Sequence, residues 1–195
     1  MADPARSLAE RFTYGDYRLW PEGESWELIE GQAWEMSPAP STRHQRLARR
    51  LFSRIANFLE GKTCEPFIAP FDVLLPAGDE EDDEVDTVVQ PDIAVICDRS
   101  KITERGARGA PDWIIEILSP RTMKKDISEK YRIYENRGVR EYWIVDPFAR
   151  VVHAWRLGDK GIFGEERIYE EADGMESSVL PGLVIEGKTL FAEPY

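Results

Sequence analysis

Three apolar runs, each bounded by charge or proline, restrict this chain more than any other feature. They are PDIAVICD (Pro91–Asp98), DWIIEILSP (Asp112–Pro120) and VREYWIVDP (Val139–Pro147). Their length and β-branched or aromatic content predict buried strands. Between the second and third, MKKDISEKYRIYENRG (Met123–Gly138) predicts a helix stopped by Gly138. Upstream, Leu47, Leu51, Ile55 and Phe58 recur at helical spacing between Arg43 and Glu60, with Ser41 or Thr42 as cap and Gly61 as stop. WELIEGQAWEM (Trp26–Met36) predicts a strand pair turning at Gly31, and FIAPFDVLLP (Phe67–Pro76) a further strand. RVVHAWRL (Arg150–Leu157) is a fourth apolar strand, followed by a GDKG turn, another strand in IFGEERIYE and a proline-broken tail. Helices interleaved with strands in this order predict an α/β chain of α+β type, with a mixed sheet flanked by helices.

A length of 195 residues suits one domain with a full core and is short for two. We therefore expect a single domain over 1–195, with a leader at 1–25, an acidic loop at 77–89 and a C-terminal strand extension at 150–195. No apolar stretch approaches the length of a spanning helix, the first residues lack a secretory signal, and two cysteines make no disulfide scaffold. These features predict a soluble, cytoplasmic protein with no membrane partner. The formal net charge is −12, but it is unevenly spread. The block from Asp79 to Asp86 is almost wholly carboxylate and predicts a solvated loop, because such a run repels itself. Arg43, Arg46, Arg49, Arg50 and Arg54 crowd the first long helix, and Lys124, Lys125 and Lys130 the second. Such local positive charge keeps nucleic acid open as a partner.

Glu116 is the most informative residue. On a strand it shares a face with Ile114, while Ile115 and Ile117 share the other. A carboxylate inside so apolar a run needs a cation: a metal, an arginine or a lysine. Asp92, at the mouth of the neighbouring predicted strand, makes a similar demand. Together they describe a hard, oxygen-rich pocket suited to Mg2+ or Mn2+. Gln90, just before Pro91, is a candidate lining residue.

The segments GQAWEMSPAPSTRHQ, QPDIAV, IIEILSP, KKDISEKYRIY and GVREYWIVDP, in this order, resemble the Uma-type endonuclease family of the PD-(D/E)XK nuclease superfamily. The resemblance runs from about Trp26 to Phe191. It implies a restriction-endonuclease-like core with an N-terminal hairpin and C-terminal antiparallel strands, and metal-dependent hydrolysis of phosphodiester bonds in DNA or RNA. In the superfamily pattern a lysine follows two residues after the strand glutamate. Here that position is Leu118, and the resemblance implies that Lys130 on the next helix takes its place.

The implied site then has Asp92, Glu116 and Lys130 as catalytic residues, with Asp92, Glu116 and the Ile117 carbonyl as metal ligands. Glu30 matches a recurrent acidic position, and His44, in the first turn of the arginine-rich helix, matches a histidine of the family pattern. Asp126 stands at i and Lys130 at i+4, the spacing of an ordinary surface ion pair. Arg43, Arg46, Arg50, Lys124 and Lys125 are candidate phosphate contacts; salt bridges to the protein's own carboxylates are the equal alternative for the arginines. Two other readings stand beside the nuclease: a catalytically inert interaction module of the same fold, and a metal-dependent hydrolase of a small phosphate ester. A homodimer would suit a nuclease that cuts both strands.

Overall fold

Side-chain alternation along Trp113–Ile117 divides the interior in two. Trp113, Ile115 and Ile117 join one apolar cluster, while Ile114 and the following Leu118 join another, as the two-residue period of a strand requires. The computed structural model describes residues 11–21, 25–36, 39–119 and 126–192.

In chain order, a one-turn helix α1 (Tyr14–Tyr17) precedes the hairpin β1 (Trp26–Ile29) and β2 (Gln32–Glu35), then the long helix α2 (Thr42–Leu59). Strands β3 (Glu65–Ile68), β4 (Asp72–Leu74), β5 (Val88–Val89) and β6 (Ile93–Ile96) follow. A small hairpin, β7 (Ile102–Thr103) and β8 (Gly106–Arg108), leads to β9 (Trp113–Ile117). A π-helical turn (Asp126–Lys130) runs directly into α3 (Tyr131–Arg137). Strands β10 (Glu141–Asp146), β11 (Val151–Arg156), β12 (Arg167–Glu170), β13 (Gly174–Glu176) and β14 (Val184–Glu186) precede a short α4 (Gly187–Leu190).

Two six-stranded sheets result, in the orders β2-β1-β5-β4-β8-β7 and β12-β11-β10-β9-β6-β3. Both are mixed: β4 pairs β8 in parallel, as β9 pairs β10, and the other pairs are antiparallel. The expected α+β class with mixed sheets and flanking helices is thus observed. Helix α2 lays Leu47, Leu51 and Ile55 on Ile93, Val95 and Ile115 of the second sheet. On the opposite face, Ile133 and Tyr134 of α3 share a cluster with Ile114, Leu118 and Tyr142 and with Val73 and Val89 of the first sheet. The second sheet is therefore covered on both faces, and this is why its strands read as unbroken apolar runs.

Several elements differ from expectation. Phe67–Pro76 is not one strand: β3 lies in the second sheet and β4 in the first, with a cis Ala69–Pro70 bond where the chain crosses between them. Proline removes a ladder donor, so a sheet strand through this point is broken there. Between Arg99 and Ala110 the chain forms a 3-10 turn and then the β7–β8 hairpin, elements that no apolar run marks in the sequence. The acidic block is exposed over Glu81–Glu84, as a solvated loop requires, but arginines also clasp it. Asp82 meets Arg108 at 2.7 Å and Asp83 meets Arg18 at 2.8 Å, and the segment folds as a 3-10 turn over Asp82–Glu84. Cys64 and Cys97 form a disulfide, because the antiparallel register that pairs Glu65 with Ile96 brings the two cysteines opposite each other.

The C-terminal tail is built into the core: Val179, Leu180, Leu183 and Ile185 belong to the cluster beneath α2. Glu141, fully buried, holds it there. Its carboxylate accepts from the Trp143 indole at 2.7 Å, the Ser178 amide at 2.6 Å and the Val179 amide at 3.2 Å. Among the described residues no helix is long and apolar enough to cross a membrane.

Candidate active site

Register sets the positions of the two carboxylates singled out from the sequence. Antiparallel β6 and β9 pair Ile93 with Ile115, so Asp92 and Glu116 stand across from each other one step further along. Parallel β10 places Ile144 on the other side of Glu116. Glu116 lies on the face that carries Ile114 and is 3% exposed. Its Oε1 accepts from Lys130 Nζ at 2.8 Å and from the Tyr134 hydroxyl at 2.7 Å.

Lys130 closes the π-turn and is 2% exposed. Its ammonium also lies 2.8 Å from Oε1 of Glu27, a fully buried carboxylate on β1. One lysine therefore joins Glu27 of the first sheet to Glu116 of the second. The expectation that Lys130 can reach the glutamate is met in the geometry. Lys130 is buried on a turn of π geometry and is not a surface residue. The side chain of Asp126 lies outside the described ones, as do Lys124 and Lys125.

Asp92 is held from two directions. Its Oδ2 accepts from the Ile117 amide at 2.7 Å and lies 3.1 Å from Nε2 of His44. His44 is placed by the start of α2, where Ser41 caps the helix by accepting from the His44 amide at 3.2 Å. A charge-assisted bond from a backbone amide fixes a carboxylate without neutralising it. Asp92, Glu116, Lys130 and His44 are thus joined through the ends of β6 and β9, although they come from four separate elements.

The other candidates occupy outlying positions. Gln90 is a connector: its amide donates to Glu27 Oε1 at 2.9 Å, and its side chain donates to Asp72 Oδ1 at 2.7 Å and to the Tyr17 hydroxyl at 3.1 Å. Burial pushes the Asp72 carboxyl above its ordinary value, against the pull of these hydrogen bonds, and burial likewise pushes the Tyr17 phenol up. Glu30 sits in the β1–β2 turn at positive φ and pairs with Arg132 through bonds of 3.0 and 2.6 Å, which hold its carboxyl below the usual range. Arg50 donates to the carbonyls of Leu190 and Ala192, at 2.7 Å each, and Arg43 lies over the Phe148 ring at 5.3 Å.

Glu27, Tyr134, Asp72 and Tyr17 complete the network and were not singled out from the sequence. Glu27 carried a readable signal: it is an inward carboxylate on the apolar strand WELI, sharing a strand face with buried Ile29. Tyr134 shows one too, standing four residues after Lys130 and so on the same side of a helix.

The model of the family Uma2, described as "Putative restriction endonuclease", matches residues 14–187. The uncharacterized protein slr1290 of Synechocystis sp. (strain ATCC 27184 / PCC 6803 / Kazusa) is 26% identical over 149 residues, covering 75% of this chain and 74% of that protein. The crystal structure of "a putative nuclease belonging to DUF820" from Anabaena variabilis ATCC 29413 matches with a TM-score of 0.74 and 23% identity, over 93% of this chain and 98% of that one. At that identity the likeness speaks to the fold.

Proposed function

The chain belongs to the Uma2 family, and from that membership we propose that it is a Mg2+- or Mn2+-dependent endonuclease hydrolysing phosphodiester bonds in DNA. The observation that carries this reading is the buried Lys130–Glu116 pair, 2.8 Å apart, on the strand whose neighbour presents Asp92. Two carboxylates and a lysine are the groups the reaction needs, and here the lysine arrives from a helix.

The donors suit a hard cation. Magnesium commonly takes one or two protein carboxylates and completes its shell with water and substrate phosphate oxygens. Asp92 and Glu116 would be those carboxylates, with the Ile117 carbonyl as a further oxygen. Among the described residues no three Asp, Glu, His or Cys side chains form a metal-holding cluster, so water and substrate oxygens would fill the remaining positions. The cation, when bound, supplies Lewis acidity toward a phosphoryl oxygen and a lowered pKa for water.

Each residue then has a task. Lys130 sets a positive charge where negative charge develops on the phosphoryl group. Glu27 and Tyr134 keep the lysine and Glu116 in register, and Gln90 anchors Glu27. His44, fixed by Ser41 and Asp92, contacts the phosphate or gives a proton to the leaving oxygen. A second copy of the chain would supply the second cut of a duplex.

Calorimetric titration with Mn2+, comparing the parent with Asp92→Ala, tests the proposal together with a plasmid-nicking assay. Binding lost in the variant and nicking that requires metal are expected. Metal-independent nicking, or Mn2+ binding unaffected by Asp92→Ala, overturns it. The closed Glu27–Lys130–Glu116 triad favours a second reading, an inert module in which Lys130 only pins the sheets together. That reading predicts neither Mn2+ binding nor nicking.

A further inference from the structure

Four arginines converge at the end of the second sheet where β9 and β10 terminate. Arg43, Arg46 and Arg50 follow one stripe of α2, at spacings of three and four residues. Arg150 comes from the turn between β10 and β11. With Pro147 and Phe191 they line a cavity of about 100 Å³. This is well below the roughly 300 Å³ of a small-molecule pocket, so the cavity admits a tetrahedral anion and not a nucleoside.

The cleft is partly prearranged. Arg50 is anchored on two carbonyls of the C-terminal segment, and Arg150 is held by Glu171 at 2.7 Å. Arg43 stacks on Phe148, and Arg46 faces the cavity directly. Glu171 is committed to Arg150, and Asp146 accepts from the Phe148 and Ala149 amides. Among the described residues the cleft's lining carries four guanidinium groups and no carboxylate, which locally reverses the sign of a chain whose net charge is −12. The forked guanidinium matches phosphate oxygens in geometry as well as charge.

Position ties the cleft to the candidate active site. The parallel register pairs Val145 with Ile117, so β10 enters the Pro147 turn beside the strand end that carries Glu116. Arg43 immediately precedes His44, whose ring meets Asp92. One turn of α2 therefore serves both. We infer that this arginine cleft seats a backbone phosphate of the bound nucleic acid, to one side of the bond that is cut. The inference rests on the nuclease reading and adds a subsite to it.

Binding of a short fluorescein-labelled DNA duplex, followed by anisotropy in metal-free buffer over a range of salt, tests the subsite. Arg43→Ala and Arg46→Ala are compared with Arg49→Ala, which removes the same charge from an exposed position of the same helix outside the cleft. Each cleft variant should bind several-fold more weakly, and each should lower the slope of log affinity against log salt by about 1. Arg49→Ala should leave that slope unchanged. Cleft variants indistinguishable from Arg49→Ala overturn the inference while leaving the nuclease reading intact, provided that the parent binds and nicks DNA. A parent that binds no duplex overturns both.

Discussion

Lys130 meets Glu116 at 2.8 Å with both side chains almost wholly buried, across fourteen residues of sequence and two kinds of secondary structure. A buried ion pair adds little net stability over an apolar pair of the same shape, but removing one member leaves an uncompensated charge. Lys130→Ala should therefore destabilise the fold by about 3–5 kcal/mol, because Glu27 and Glu116 are both abandoned. Urea denaturation measures this cost. Pairing Lys130→Met with Glu27→Gln should recover much of it, and nicking should be lost in both proteins while Mn2+ binding persists. Retained nicking would assign the role to another cation, such as Lys125.

Glu116→Gln keeps an acceptor for Lys130 and Tyr134 but removes a charge from the proposed cation site. Its affinity for Mn2+ should fall by about tenfold or more, with an unchanged circular dichroism spectrum. Calorimetry at moderate salt reads the change. Equal affinity in the two proteins would remove Glu116 from the ligand set.

Asp72 ties pH to stability with an unusual sign. Burial holds its carboxyl above the ordinary value of 3.8. A group whose pKa is raised by folding contributes its full stability below the unfolded value and loses it as pH rises through the folded one. Asp72→Asn, which keeps an oxygen to accept from Gln90 and Tyr17, should thus be more stable than the parent near neutrality. The two should converge below the ordinary carboxylate value. Urea midpoints at the two pH values give the answer, and a gap that persists in acid would mean that ionisation is not the cause.

Glu141 couples the C-terminal segment to the rest of the molecule. Glu141→Ala strands the Trp143 indole and the Ser178 amide, while the Val179 amide keeps Ser177 Oγ, at a cost of about 1–3 kcal/mol for the first donor left unsatisfied and more as the second follows. Residues Val179 to Ile185 should become protease-accessible before the rest unfolds. Limited proteolysis, read by mass, checks this order.

Much of the interior was legible because it obeys a single period. Ile114, Ile115, Glu116 and Ile117 declare two buried faces and one misplaced charge, and Leu47, Leu51 and Ile55 declare a helix lying on one of them. What escaped depends on chain crossings. Within Phe67–Pro76 the internal proline is the local sign that the strand breaks, and nothing there says that the chain leaves one sheet for another. Glu27 escaped because its partner sits on a helical turn over a hundred residues away, so no spacing in the sequence joins it to Lys130. The countercharges of the acidic block, Arg18 and Arg108, escaped for the same reason, since they come from distant elements.

The π-turn over Asp126–Lys130 makes the position of the lysine a matter of helical phase. Each residue added to or removed from an α-helix rotates everything beyond it by about 100°. Losing one residue from that turn would leave Tyr134 and Lys130 in the chain but swing the ammonium away from Glu116, as surely as deleting it. The site is thus encoded in part by a length, which a comparison of residue identities alone would never register.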